Sequence, residues 1–156
     1  MEKEKTLKIE KIKKGTVIDH IPVGRALKVL KILNIEGDIG QTVSIAIHVK
    51  SQKLGLKDVI KIEERILDSS ELNKIALIAG GATISIVEDY DIVNKFEVEI
   101  PNEFSGIIKC SNPKCITNSN ERVKSRFVTV SKKPLILKCH YCEREMEGEE
   151  IEENII

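Results

Sequence analysis

The 156-residue sequence predicts an α+β protein in two parts, a helix-bearing sheet over residues 1–101 and a small all-β module over 102–156. Two observations predict this. Short β-like stretches recur up to about residue 100, and two of the intervals between them carry apolar residues at helical spacing. All four cysteines fall in the last third, in two tight pairs.

In order, LKIEKI (7–12) has Leu7 and Ile9 in alternation, and GTVIDHIP (15–22) reads as a strand running into a proline. Pro22 suits the first turn of a helix, where its missing N–H costs nothing. In VGRALKVLKIL, Ala26, Val29, Leu30 and Leu33 share one helical face. TVSIAIHV (42–49) places Val43, Ile45, Ile47 and Val49 on one side and Thr42, Ser44, Ala46 and His48 on the other, a half-buried strand. KDVIKIE (57–63) is the next strand, after a loop at Gly55. DSSE (68–71) has the form of a capping box, with Asp68 as N-cap and Glu71 three residues on. Leu72, Ile75, Ala76 and Ala79 make a second helical stripe, which Gly80-Gly81 ends. ATISIVE (82–88) and NKFEVEI (94–100) are strands again. The order is βαββαβ plus one strand, the ferredoxin-like, split-βαβ pattern.

The cysteines read C-x4-C at Cys110 and Cys115, then 23 residues, then C-x2-C at Cys139 and Cys142. RFVTV (126–130) and PLILK (134–138) supply a hairpin between the pairs. Two close pairs joined by a hairpin can bring four thiolates to one tetrahedral metal, as in zinc-ribbon and rubredoxin-like modules. One structural zinc per chain is the expectation, and a rubredoxin-type iron is the variant. Two disulfides and unrelated core cysteines are the bland alternatives, and the absence of a secretory leader argues against the disulfides. Four protein ligands leave no open position, so the ion is structural and supplies folding energy to a segment too small to build a large core.

Lys+Arg and Asp+Glu are both 25, so the net charge is zero and no strongly basic nucleic-acid footprint exists. After residue 106 the aromatics are Phe127 and Tyr141, few for a base-stacking surface. A zinc-ribbon nucleic-acid-binding accessory protein therefore ranks second, and an enzyme on a ferredoxin-like scaffold third, for want of a P-loop, a triad or a spare cysteine. No apolar run reaches membrane-spanning length and MEKEKTLKIEKIKK has no signal-peptide core, so a cytoplasmic protein without membrane contact is expected.

Asp19 and His20 stand between apolar residues just before Pro22. By themselves they are as readily a strand-end cap as a ligand site. GTVIDHIP, KDVIKIE, ATISIVEDYDIVNK, CSNPKC and KCHYCE together resemble the regulatory chain of aspartate carbamoyltransferase, from about Leu7 to Glu143. The resemblance implies a non-catalytic subunit whose N-terminal domain binds nucleoside triphosphates and dimerises. CTP and ATP are the expected ligands, with UTP a further candidate. The zinc domain docks on catalytic chains, in an assembly of two catalytic trimers and three regulatory dimers that regulates pyrimidine biosynthesis allosterically.

Residue by residue, the resemblance implies that Asp19 accepts from ribose hydroxyls and His20 lies toward the phosphates. Lys95 matches a phosphate-binding lysine and Lys61 one that contacts base and ribose. The backbones of Ile12 and Tyr90 match groups that read the base. Ile9, Glu10, Val17, Val87 and Ile92 match other pocket positions, and Lys57 lends charge from the strand of Lys61. Ser85 stands where a longer amide side chain is expected near the phosphates. Asn112 and Glu143 match residues of the catalytic-chain interface, where Lys114 replaces an asparagine. Without the resemblance, Lys61 is a solvated strand lysine and Tyr90 a turn-packing residue.

Overall fold

In a computed structural model, residues 11–52 and 55–156 are described. The chain divides into two compact units: one runs to Leu67 and includes Gly81–Glu97, and the other comprises Asp68–Gly80 and Val98–Ile156.

The first unit is built on β1 (Gly15–Pro22), α1 (Ala26–Ile32), β2 (Val43–Ser51), β3 (Gly55–Glu63), β4 (Thr83–Glu88) and β5 (Asp91–Glu97). The strands form one antiparallel sheet in the order β2-β3-β1-β4-β5. With the helix α2 (Ser69–Ala79) between β3 and β4 in sequence, this is the ferredoxin-like order, extended by one edge strand. Ile18 is opposite both Ile60 and Ile84, and Thr16 is opposite Ile62 and Ile86, so one face of the sheet is apolar. Ala26, Val29, Leu30 and Leu33, the predicted stripe of α1, are all buried. Gly15 opens β1 with φ +146°, and a Cβ there would lie 2.1 Å from the Ile62 carbonyl oxygen, so only glycine fits.

Three local readings are corrected. Pro22 closes β1 and accepts from Arg25 N–H at 3.1 Å, so α1 starts at Ala26 instead of at the proline. In β2 a bulge lies between Ala46 and Val49, with His48 at φ 63°. Val43 and Ile45 therefore pair toward the apolar face with Ile62 and Ile60, while Val49 pairs with Lys57 on the other. The cause is Asp58, fully buried, whose carboxylate accepts from the backbone N–H groups of His48, Gly24 and Ala26 at 3.0, 2.9 and 3.1 Å. The last strand is at 91–97 because Asp89 and Tyr90, at φ 49° and 69°, form a two-residue hairpin turn between β4 and β5. The stretch at 7–12 lies outside the described residues up to position 10, and Lys11 and Ile12 are not in a strand.

The second unit has a four-stranded antiparallel sheet of β6 (Glu103–Ser105), β7 (Arg126–Lys132), β8 (Leu135–Cys139) and β9 (Glu145–Glu147), in that order. It also holds α2, a 3₁₀ turn at Ile116–Asn118 and α3 (Glu149–Glu153). Its core gathers Leu77 of α2 with Phe104, Ile107, Ile108, Phe127, Leu137, Met146, Ile151 and three of the cysteines. The capping box forms as expected: Asp68 accepts from Glu71 N–H at 2.8 Å and Glu71 accepts from Asp68 N–H at 3.2 Å. The acidic segment EREMEGEEIEE, read from sequence only as a charged end, folds into β9 and α3 by burying Met146 and Ile151.

Candidate functional site

The predicted metal ligands converge. The Sγ atoms of Cys110, Cys115, Cys139 and Cys142 all lie within 4.8 Å of one another. Cys110 and Cys142 are 3.6 Å apart, and Cys115 and Cys139 are 3.7 Å apart. A disulfide needs about 2.05 Å, whereas a tetrahedral set at Zn–S distances of about 2.3 Å has edges of about 3.8 Å. The thiols are free and spaced for a metal.

Each pair sits on a tight loop. Cys115 N–H donates to the Asn112 carbonyl at 3.0 Å, and Glu143 N–H donates to the Cys139 carbonyl at 3.0 Å with Glu143 at φ 64°. Thr117 Oγ1 donates to Cys115 Sγ at 3.2 Å. Burial pushes the Cys110 and Cys139 thiols up. Cys142 pays a desolvation penalty too, but Arg144 N–H and the Asn112 side chain bring it down to about 7. His140 is exposed, packs edge-on against Tyr141 and is no ligand. Asn112, Lys114 and Glu143, expected at an interface, all lie in the two cysteine loops, where Asn112 Oδ1 accepts from Lys114 N–H at 3.0 Å.

On the first unit, the sheet register brings the other predicted residues to one face. Ser44, Lys61, Val17, Ser85 and Lys95 form a continuous cross-strand row over all five strands. Directly opposed residues point to the same side of a sheet. Val87, opposite Ile92, lies on that side, and so does Asp19, opposite Thr83. It is the face away from Ile18, Ile60 and Ile84.

Asp19 and His20 share one ladder position. Between Ile18 and Ile21, β1 advances three residues while β3 advances two, a bulge that His20 accommodates at φ 55°. Consecutive strand residues normally point to opposite faces. Here the His20 ring reaches Thr83 Oγ1 at 3.1 Å, on the side of Asp19. The Asp19 carboxylate accepts from His20 N–H at 2.6 Å and pairs with Lys57 Nζ at 2.9 Å. Burial raises the Asp19 pKa, but the Lys57 hydrogen bond and charge and the His20 N–H overcome this and hold it below the ordinary value. Lys57 thus acts on Asp19 directly.

Tyr90 is exposed, and its N–H donates to the Lys13 carbonyl at 3.0 Å, tying the β4–β5 turn to the segment that holds the buried Ile12. Ile9 and Glu10 lie outside the described residues. Sequence reasoning missed Thr83 and Asp58. Thr83 could be found only from the register, but a lone aspartate inside the apolar strand KDVIKIE was a visible signal.

Comparison with known proteins decides the family. Residues 7–99 match the family "Aspartate carbamoyltransferase regulatory chain, allosteric domain", and residues 102–152 match its metal binding domain. The chain belongs to the aspartate carbamoyltransferase regulatory chain family. An aspartate carbamoyltransferase regulatory chain of Thermococcus sibiricus is 57% identical over 152 residues, covering 97% of this chain and 99% of that one. One of Thermoplasma acidophilum is 54% identical over 148 residues, with 95% and 98% covered, and one of Saccharolobus islandicus is 49% identical over 154, with 99% and 97% covered. As a regulatory chain it is a non-catalytic subunit. The four cysteines fit a single structural metal ion, zinc in this family. Among the described residues no helix is long and apolar enough to cross a membrane.

Proposed function

We propose that the chain binds nucleoside triphosphates on the polar face of its N-terminal sheet and transmits their presence to aspartate carbamoyltransferase catalytic chains through its metal-binding module. The carrying observation is the cross-strand row with Lys61 and Lys95, flanked by the Asp19–His20 bulge. A triphosphate needs several cations, and lysines supply movable point charges. In this reading Lys95 and His20 serve the phosphates, Lys61 serves base and ribose, and Asp19, oriented by Lys57, accepts the ribose hydroxyls. Val17, Val87 and Ile92 wall the pocket, and the family resemblance assigns Ile9 and Glu10 to the same site. Because Tyr90 N–H is committed, its carbonyl and the backbone of Ile12 read the base. The short, buried Ser85 leaves room beside Lys95. CTP and ATP compete for this one site, with UTP as a third ligand.

The functional division falls near Pro101, between the segments matched by the two family domains. Asn112, Lys114 and Glu143, carried on the metal loops, meet the catalytic chain. The N-terminal domain pairs with a second copy, so that three regulatory dimers join two catalytic trimers in the cytoplasm. The test is to mix the zinc-loaded chain with catalytic trimer from the same source and measure mass and activity with and without CTP and ATP. A complex larger than the trimer, with nucleotide-dependent activity, is expected. Persistence of free trimer at micromolar concentrations of both chains would contradict the reading.

A further inference from the structure

Beside the metal centre, in the second unit, lies a feature that the preceding account leaves unused. An open cavity of about 430 Å³ is lined by Lys109, Lys124 and Ser125, and a smaller one of about 290 Å³ by Lys109 and Ser111. Lys109 and Asn118 border both. Ser125 is only 8% exposed, and its Oγ and that of Ser111 are buried without a hydrogen-bond partner. Among the described residues these two are the buried side-chain polar atoms left so, and each lines one of the two cavities. A buried hydroxyl is nearly always met by something, within the chain or from outside.

The other polar groups here are already engaged. Thr117 Oγ1 donates to Cys115 Sγ, and Asn118 Nδ2 donates to the carbonyls of Cys110 and Asn112 at 2.8 Å each. Ser119 Oγ donates to the Ile116 carbonyl and accepts from Glu121 N–H. What remains is two ammonium groups and two hydroxyl donors, while Cys110, a metal-ligand thiolate, borders the smaller cavity and Ile156 the larger. Neither lysine is paired with a described carboxylate. Lys124 is also seated: its stem lies over Gly106, where an added Cβ would come within 2.4 Å of Lys124 Cε.

We propose that this pair of cavities is a compact-oxyanion site on the metal-binding module, taking a phosphate or a carboxylate group. Lys109 and Lys124 supply the charge, and the Ser125 and Ser111 hydroxyls supply directed hydrogen bonds. The site is independent of the nucleotide face, which lies on the other unit.

The experiment is an amide NMR titration of the zinc-loaded full chain with inorganic phosphate, and separately with acetate, against chloride at matched ionic strength. Saturable shifts at Gly106, Thr117 and Ser125 are expected, distinct from any at Lys95 on the nucleotide face. Tighter phosphate binding assigns a phosphate occupant, and tighter acetate binding assigns a carboxylate. Lys124→Gln and Ser125→Ala should each weaken binding about tenfold or more, as loss of a charge-assisted contact does, and Lys124→Arg should restore most of it. Unchanged zinc content and spectral dispersion show that the variants fold. Shifts that stay linear and match those of chloride, or equal affinity in all variants, would overturn the proposal and leave water as the only partner of the two hydroxyls.

Discussion

Lys57 Nζ lies 2.9 Å from Asp19 Oδ1, so the carboxylate at the β1 bulge is held by the neighbouring strand β3. The pair lowers the Asp19 pKa from its ordinary 3.8 despite partial burial. A folded-state pKa below the unfolded value gives a stabilisation that is present above about pH 4 and is lost as the pH falls through the folded value. Lys57→Met should therefore raise the Asp19 titration midpoint, measured by carbon-detected NMR of the side-chain carboxyl. Acid destabilisation should begin at higher pH in the variant. An unmoved midpoint would show that Lys57 does not act on Asp19 in solution.

Asp58 is the structural counterpart of that pair on the opposite face of β3. It accepts from three buried or half-buried backbone N–H groups, fixing both the entry to α1 and the β2 bulge. Each buried donor left unsatisfied costs about 1–3 kcal/mol. Asp58→Ala should lower unfolding stability by about 3 kcal/mol or more, read as a shifted denaturant midpoint at constant slope. A loss under about 1 kcal/mol would mean that water replaces the carboxylate freely.

The metal centre is part of the second unit's core, since Cys110, Cys115 and Cys139 pack with Phe104, Phe127 and Met146. Structural zinc contributes on the order of 10–16 kcal/mol in small zinc peptides. Chelation should abolish amide protection through β6–β9 while the sheet of the first unit keeps its own. Hydrogen exchange checks this. Retained protection at Phe127 and Leu137 after complete metal removal would show that the core stands without the ion.

The N-cap of α2 offers a smaller, cleaner test of local energetics. Asp68 and Glu71 satisfy each other's backbone N–H groups. Asp68→Ala should cost about 1 kcal/mol, and Asp68→Ser should recover most of it. Equal stability of Asp68→Ala and the parent chain in urea would remove the capping box from the account.

What was legible in the sequence was what depends on local pattern. The stripe of α1, the capping box at Asp68 and the cysteine pairs each obey a spacing rule that needs no partner strand. What was not legible depends on register. The alternation at 43–49 hides a bulge because Asp58, ten residues downstream of His48, pulls the His48 N–H out of the ladder. The turn at Asp89–Tyr90 carries two left-handed residues, neither of them glycine or asparagine, so the usual hairpin signal is missing. The candidate face on the first unit was reachable by resemblance alone. Val17, Lys61, Ser85 and Lys95 are scattered over four strands, and only the pairing shows that they form one row.

That row makes the central claim directly measurable. Calorimetric binding of CTP and of cytidine should be compared for the parent chain, Lys95→Ala and Lys61→Ala. If the face binds a nucleotide with its phosphates at Lys95 and its base and ribose at Lys61, Lys95→Ala should weaken CTP far more than cytidine, whereas Lys61→Ala should weaken both. Equal, small losses for both ligands in both variants would contradict the account.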